Sequence, residues 1–260
     1  RLCRDWSSDV CSSDLLEKWG FKASAIEIPK PALSSEVLVN YNERRDFPAV
    51  EGTTRIGLQL RFGTLSIRQV VRQAHEINEI FLNELIWREF YASVLYHFPY
   101  VVDHAFKKKY ERISWINNEH HFELWKHGQS GYPMVDAGMR QLKATGWMHN
   151  RLRMIVASFL TKHLLIDWRW GEAWFAKMLF DYELSSNNGG WQWCAGSGTD
   201  AAPYFRIFNP EAQQAKFDPN NAFVKKWIPE LGTAAYPKAI VDHSFARNRC
   251  LEAYKDALQG

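Results

Sequence analysis

The sequence predicts an all-α protein. Three observations lead there: apolar residues recur at intervals of three and four over long stretches, period-two alternation is almost absent, and the run from Arg151 to Leu165 is apolar nearly all the way round. No glycine triad follows a strand-like segment, so a Rossmann unit is not expected. With 260 residues and 46% hydrophobic side chains, the chain can bury a sizeable core.

The elements follow in order. Residues 1–15 contain DWSSDVCSSDL, which is rich in Ser and Asp and has no apolar period; the segment looks like a translated sequencing adapter and is set aside as non-native. Residues 16–40 read as a linker and the start of the helical region, because Pro29 and Pro31 precede serines and an apolar VLVNY. Residues 41–260 form the helical domain. Ser66 is placed to cap one long amphipathic helix, IRQVVRQAHEINEIFLNELIWREFYASVLYHF, which Pro99 closes. Further helices are expected over about Met134 to Thr145, Arg151 to Leu165 and Glu172 to Asp181, the second of these at the centre of the bundle.

Composition narrows the class. No apolar run is long enough for a membrane span, and the start lacks the apolar middle of a secretory signal, so a cytoplasmic protein is expected. Cys3, Cys11, Cys194 and Cys250 show neither zinc-ligand spacing nor a secreted disulfide framework; no metal site is expected. The net charge of +3 leans only slightly towards an anionic partner. Twelve tryptophans and a 15% aromatic fraction are high, and an aromatic-rich core is the plain explanation for many of them.

The stretch from Gly146 to Phe208 asks for more than a core. It carries WMHNRLRM, a DW pair, NNGGWQW and GTDAAPYFRIF, crowding indoles, amides and arginines in a way that suits a flat ligand. Upstream, Glu84, Trp87, Arg88 and Tyr91 fall at offsets of three and four and share one helix face. A solvated Glu84–Arg88 ion pair is the structural alternative for that face. Asn150 and Met154 lie one turn apart, with Arg151 and Arg153 beside them. A buried arginine there needs an anion, for which Asp181, Glu183 and a ligand phosphate are the candidates.

These motifs resemble the photolyase/cryptochrome flavoproteins, and within them the bacterial class I photolyases of cyclobutane pyrimidine dimers. The resemblance runs from about Tyr41 to the C-terminus through RDFPAVEGTTR, LNELIWREFY, GYPMVDAGMRQL and the long block just quoted. It implies a helical FAD-binding domain whose reduced flavin, excited by blue light, lends an electron to a pyrimidine dimer in DNA. It also implies that the family's N-terminal α/β antenna domain is absent, which leaves no site in this fragment for a folate or deazaflavin antenna and exposes the face it would cover.

By motif, the resemblance assigns Tyr41, Thr53, Thr54, Arg55, Ile56 and Gly57 to the FAD phosphates and ribityl chain, with Phe81, Arg88 and Tyr182 also at the cofactor. Arg153 paired with Asp181 would lie beside the isoalloxazine, with Glu183 nearby and the Asn187 amide at the flavin N5. The lesion pocket would comprise Glu84, Trp87, Asn150, Met154 and Trp193, with Glu84 as a proton donor to a base edge. Photolyases are a standard instance of base flipping, so the dimer is expected to leave the stack. Arg45, Tyr91 and Arg151 would join Glu84, Trp87, Asn150 and Trp193 in holding DNA of either strandedness. Trp191, Trp168 and Trp115 match the family's electron relay, a packing role being the alternative for Trp115.

Three positions depart from the common pattern: Gly57 stands where many relatives have Ser, Phe81 where some have Trp, and Glu183 where many have Asp. Met154 and Asn150 favour cyclobutane-dimer repair. Enzymes for the (6-4) lesion carry a histidine pair in this region, whereas His149 stands alone and reads as a satisfied or partly exposed histidine at a helix start. The protein is expected to act as a monomer, bound to the nucleoid when on DNA. The alternatives are a cryptochrome-like blue-light photosensor that binds FAD without repair, and a helical nucleic-acid-binding protein that only stacks bases.

Overall fold

The computed structural model describes residues 17–22, 25 and 30–259. Residues 1–16, which hold Cys3, Cys11 and the whole adapter-like segment, lie outside the described residues, as does most of 23–29. Among the described residues there is no strand. Short helices α1 (Ser35–Val39), α2 (Tyr41–Arg44) and α3 (Gly57–Phe62) lead into α4 (Ile67–Ile77) and α5 (Glu79–His97). Two 3-10 turns, Pro99–Val102 and Lys108–Arg112, precede α6 (Glu119–Lys126), α7 (Pro133–Thr145) and α8 (Asn150–Ser158). A π-helical turn over Phe159–His163 extends α8, followed by α9 (Trp168–Met178) and α10 (Leu184–Ala195). The chain ends with α11 (Pro210–Phe217), α12 (Ala222–Trp227) and α13 (His243–Gln259).

The long helix expected from Ser66 to Phe98 is two helices. Asn78 breaks it, with φ −155° and ψ 109° in the extended region. Its amide does two jobs at once: Nδ2 donates to the Leu38 carbonyl at 2.9 Å, and Oδ1 accepts the Phe81 N–H at 2.9 Å. An asparagine that caps α5 while tying down α1 competes successfully with one helical hydrogen bond. Ser66 stands at the N-cap of α4, but its hydroxyl makes no capping bond.

The other expectations shift by a few residues. The central helix starts at Asn150, one residue after His149, whose Nδ1 accepts the Arg151 N–H at 3.1 Å. It changes to π geometry at Phe159 instead of running as α-helix to Leu165. The helix placed over Glu172–Asp181 begins at Trp168, because the Asp167 carboxylate caps it by accepting the Arg169 N–H at 3.0 Å. Only the helix near Met134 keeps its bounds, with Pro133 at its first turn and Gly146 closing it at φ 65°.

Three apolar clusters hold these helices. The largest joins α6 to α10 around Trp125, Met139, Leu152, Phe159, Trp168, Phe175 and Trp191. Its ordinary aliphatic members, such as Leu152, each contribute roughly 1.5–3 kcal/mol by leaving water. A second cluster knits α1, α4 and α5 through Leu38, Val70, Ala74, Phe81 and Leu85. The third fastens α13 by Cys250, Tyr254 and Ala257 against Tyr110, Ile113 and Leu165. Glycine permits the tightest approach: a Cβ on Gly171 of α9 would lie 2.1 Å from the Trp191 ring of α10.

His149 is 2% exposed, so it is neither partly exposed nor fully satisfied: Nε2 has no partner. Burial lowers its pKa from 6.5 to about 4, and lowers that of fully buried His163 to about 3. Between those values and 6.5 the unfolded chain takes up protons that the folded chain refuses. Stability is therefore full above pH 6.5 and falls as pH drops through this window. The loss should reach roughly 3 kcal/mol per histidine by pH 4, at about 1.4 kcal/mol for each pK unit. Urea unfolding at pH 7, 5.5 and 4 checks this, and His149→Asn, which keeps a capping side chain, should flatten its share of the slope.

Candidate functional site: a cavity between α5, α8 and α10

A cavity of about 650 Å³ opens chiefly between α5, α8 and α10, with α9 contributing Phe175 and connecting segments completing the lining. That volume lies within the range of small-molecule and cofactor sites. α5 supplies Glu84, Trp87, Arg88 and Tyr91; α8 supplies Asn150, Arg153 and Met154; α10 supplies Asn187, Gly190, Trp191, Trp193 and Cys194. The segment 179–183 adds Asp181, Tyr182 and Glu183, while Arg45 and Asp200 close the rim.

Helical spacing brings the α5 residues together as expected, but the ion pair differs. Glu84 bonds Arg45, not Arg88, and among the described residues Arg88 makes no ion pair. Burial acts to lower the Arg45 pKa, yet the Glu84 carboxylate and its neighbours leave it above its ordinary value. Glu84 is thus held by a guanidinium from outside its own helix. Arg151 turns to Asp46, bonding it at 2.6 Å, and stacks over Phe217 at 4.2 Å.

Arg153 finds the partner the sequence suggested. Its guanidinium holds both oxygens of Asp181, at 3.0 and 2.9 Å, and its Nε donates to the Met148 carbonyl at 2.8 Å. Glu183 instead caps α10: its carboxylate accepts the Ser185 and Ser186 N–H groups and both serine hydroxyls, at 2.5 to 3.0 Å. Burial works to raise the Glu183 pKa, but these four bonds bring it below the ordinary value. The carboxylate also favours the positive end of the α10 dipole.

Asn187 depends on a residue that sequence reasoning missed. Its Nδ2 donates to the Glu172 carboxylate at 2.8 Å and to the Glu172 carbonyl at 3.2 Å, which leaves its Oδ1 as the free acceptor of the amide. Burial raises the Glu172 pKa, with the Asn187 bond opposing. Asp46 and Asp200 were also missed; Asp200 accepts the Tyr91 hydroxyl at 3.4 Å, and burial together with Asp200 holds the Tyr91 pKa above its usual value. Only tertiary contact pairs these residues, so no spacing rule marks them.

The upstream segment is placed differently from the cavity wall. Tyr41 and Phe81 meet edge to face at 5.2 Å inside the N-terminal cluster, and Ile56 lies in the same core. Thr54 is buried with its carbonyl accepting the Ala32 N–H, and Thr53 is half-buried. Arg55, at φ 51°, stacks over Trp147 at 4.6 Å and bonds Glu51. Gly57 lies against the wall residue Asp181, from which a Cβ there would stand 3.1 Å. A serine at this position would crowd that carboxylate, which gives the glycine a local reason.

Of the relay candidates, Trp191 and Trp168 are each 2% exposed and half-buried Trp115 sits edge-on to Tyr254 at 6.2 Å. Trp191 rests on Gly171, one turn from Trp168 along α9. Trp87 keeps 45% of its surface exposed at the mouth, tilted over Tyr91.

The donors and acceptors here fit a large polar ligand with a flat ring. Arg55 Nε and Gln59 Oε1, on the residues two before and two after Gly57 in the chain, are buried without a partner, and a Cβ on Gly190 would meet nothing within 4 Å. Comparison with known proteins agrees. The family model for the FAD binding domain of DNA photolyase matches residues 81–235. The deoxyribodipyrimidine photo-lyase of Escherichia coli K12 is 47% identical over 249 residues, covering 85% of this chain and 53% of that protein. The solved structure of an archaeal photolyase from Sulfolobus tokodaii with two FAD molecules superposes with a TM-score of 0.83 at 39% identity, over 94% of this chain and 60% of that one. A Synechocystis cryptochrome does so at 0.78 and 29% identity, over 88% and 59%.

A helical domain with this cavity is thus of the photolyase/cryptochrome type, as the sequence led one to expect. The chain belongs to the family of the DNA photolyase FAD-binding domain. It spans about half the length of the curated relatives it matches.

The Arg153–Asp181 pair is the electrostatic anchor of the wall. Asp181→Asn leaves Arg153 without its counter-charge and should lower unfolding free energy by roughly 2 kcal/mol, the pair being only partly buried. Flavin retained through gel filtration should fall with it; unchanged stability and retention would show that the pair anchors nothing.

Proposed function

We propose that this chain is the catalytic part of a light-driven lyase that splits cyclobutane pyrimidine dimers in DNA, with FAD as its cofactor. The observation that carries the reading is the meeting, in one cavity, of Glu84, Trp87, Asn150, Met154 and Trp193 with Arg153–Asp181 and Asn187. When bound, the reduced flavin supplies the light-excited electron that opens the cyclobutane ring, and the protein provides position and electrostatics.

Each residue has a task that its geometry suits. Arg153 and Asp181 present a fixed dipole to the ring system, and Gly57 lets the phosphate-side segment approach it closely. The Asn187 amide, with its N–H groups committed to Glu172, turns an acceptor to its ligand. Trp87 and Trp193 form apolar walls for two bases, Met154 lines the same cavity, and Glu84, steadied by Arg45, bonds a base edge. Arg151, held by Asp46, and Arg45 lie on the side where DNA phosphates would pass. The substrate is damaged DNA, single- or double-stranded, and the protein works in the cytoplasm as a monomer on the nucleoid. Trp191, Trp168 and Trp115 would pass electrons inward to oxidised flavin.

Met154 and Asn150 in the cavity favour repair over a cryptochrome-like photosensor, which needs no lesion pocket. Stacking on Trp87 should contribute roughly 1–3 kcal/mol per base, so Trp87→Ala should weaken binding to dimer-containing DNA by that amount while FAD content and binding to intact DNA stay unchanged. Equal affinity in a folded variant would remove Trp87 from the pocket. For the relay, Trp191→Phe should abolish photoreduction of the oxidised flavin, followed by its absorption under blue light; normal photoreduction would take Trp191 out of the path.

A further inference from the structure

Lys162 is 1% exposed, in the π-helical turn that follows α8. Among the described residues it has no carboxylate partner. Its ammonium donates instead to the Ala195 carbonyl at 2.9 Å and lies 3.4 Å from the Tyr204 carbonyl, above the Tyr254 ring at 3.7 Å. A buried lysine with no acid nearby is costly, so these contacts must repay its desolvation. Ala195 is the last residue of α10, where the helix dipole favours a cation. Tyr204 stands at the far end of the segment 196–207 and stacks on Tyr254 at 5.9 Å.

The ammonium therefore bridges the two ends of one surface segment. That segment carries Asp200, which lines the cavity and bonds Tyr91 of α5, and Phe205, which is 60% exposed. We propose that Lys162 is the positioning residue of the cavity mouth: it fixes the segment 196–207 so that Asp200 stays at the rim beside Tyr91, next to the opening that a flipped-out dimer would enter. The proposal rests on the photolyase reading for its ligand, and on the structure alone for the clamp.

The clamp carries its own titration. Burial pulls the Lys162 pKa down to about 8, against small opposing effects of Cys250 and Cys194. The groups facing it do not share that range. Cys194 of α10 is pushed up to about 12, Cys250 of α13 to about 11, and Tyr254 of α13 well above its ordinary value. His163, next along the turn, is lowered to about 3, and Tyr204 supplies its carbonyl. Between pH 7 and 9, Lys162 is thus the one of these groups placed to lose its proton. The amine that remains is a weaker donor to both carbonyls.

Amide hydrogen exchange of the flavin-loaded protein tests this, corrected for the intrinsic pH dependence of exchange. Protection of residues 196–207 should fall as pH passes about 8, while α7 stays protected. In Lys162→Met the same amides should already exchange fast at pH 7, with no further pH step. Affinity for a dimer-containing oligonucleotide should then drop about tenfold, the scale of one lost charge-assisted hydrogen bond, with FAD content unchanged. Protection of 196–207 that is independent of pH, or equal in the variant, overturns the clamp. Should Lys162→Met fail to fold, the pH series on the unvaried protein decides alone. Exchange needs neither light nor lesion, so failure of the unvaried protein to prefer dimer-containing DNA would count against the photolyase reading and not against Lys162.

Discussion

α10 is pinned from three directions, and the cavity exists because of how it is pinned. Trp191 lies against Gly171 of α9, and Gly189 lies against the Tyr91 ring of α5, where an added Cβ would stand 2.2 Å away. At its start, Glu183 gathers four hydrogen bonds and fixes the direction in which the helix sets out. Between these contacts Asn187, Gly190 and Trp193 line the cavity, and α10 meets α8 at Cys194, whose Sγ lies 3.7 Å from the Met154 carbonyl. A run such as NNGGWQW is poor material for an ordinary core helix, since two glycines weaken it by roughly 1 kcal/mol each. Here Gly189 allows a contact that a larger residue would block, and Gly190 leaves its side of the cavity open.

The charges around this space are arranged with the same economy. Arg45 with Glu84, Arg151 with Asp46 and Arg153 with Asp181 pair three cations with three carboxylates. Glu183 and Glu172 bond hydroxyls, amides and backbone instead. Fixed dipoles of this kind can act on a developing charge without reorganising. Arg88 remains the cation of the cavity without an ion-pair partner among the described residues, and an anionic ligand group is its natural complement.

Much of this was legible because helical periodicity is a strong local signal. The shared face of Glu84, Trp87 and Tyr91 and the central position of α8 could be read from spacing, while charge left Asp181, Glu183 and a ligand phosphate as partners for the arginines and only the family resemblance singled out Arg153 with Asp181. What escaped was decided over distance. The helical period runs straight through Asn78, and the carbonyl that captures its amide belongs to Leu38, forty residues earlier. Glu172 and Asn187, or Arg45 and Glu84, meet only after the helices have packed. Lys162 and His163 sat inside a run that read as apolar all round; they are buried because carbonyls and rings from α10 and α13 receive them. The adapter-like start remains a statement about sequence alone.

The central claim is that one cavity positions both flavin and lesion, and light-driven repair tests it most directly. Purified protein, loaded with FAD and chemically reduced, would be given a defined cyclobutane dimer in single-stranded and duplex DNA, with a dark control. Loss of the dimer only under blue light is the predicted result, and it would show that this half of the relatives' length suffices for the chemistry. Flavin that is fully reduced and photoactive, in a folded protein that leaves the dimer intact, would contradict the account and favour the photosensor.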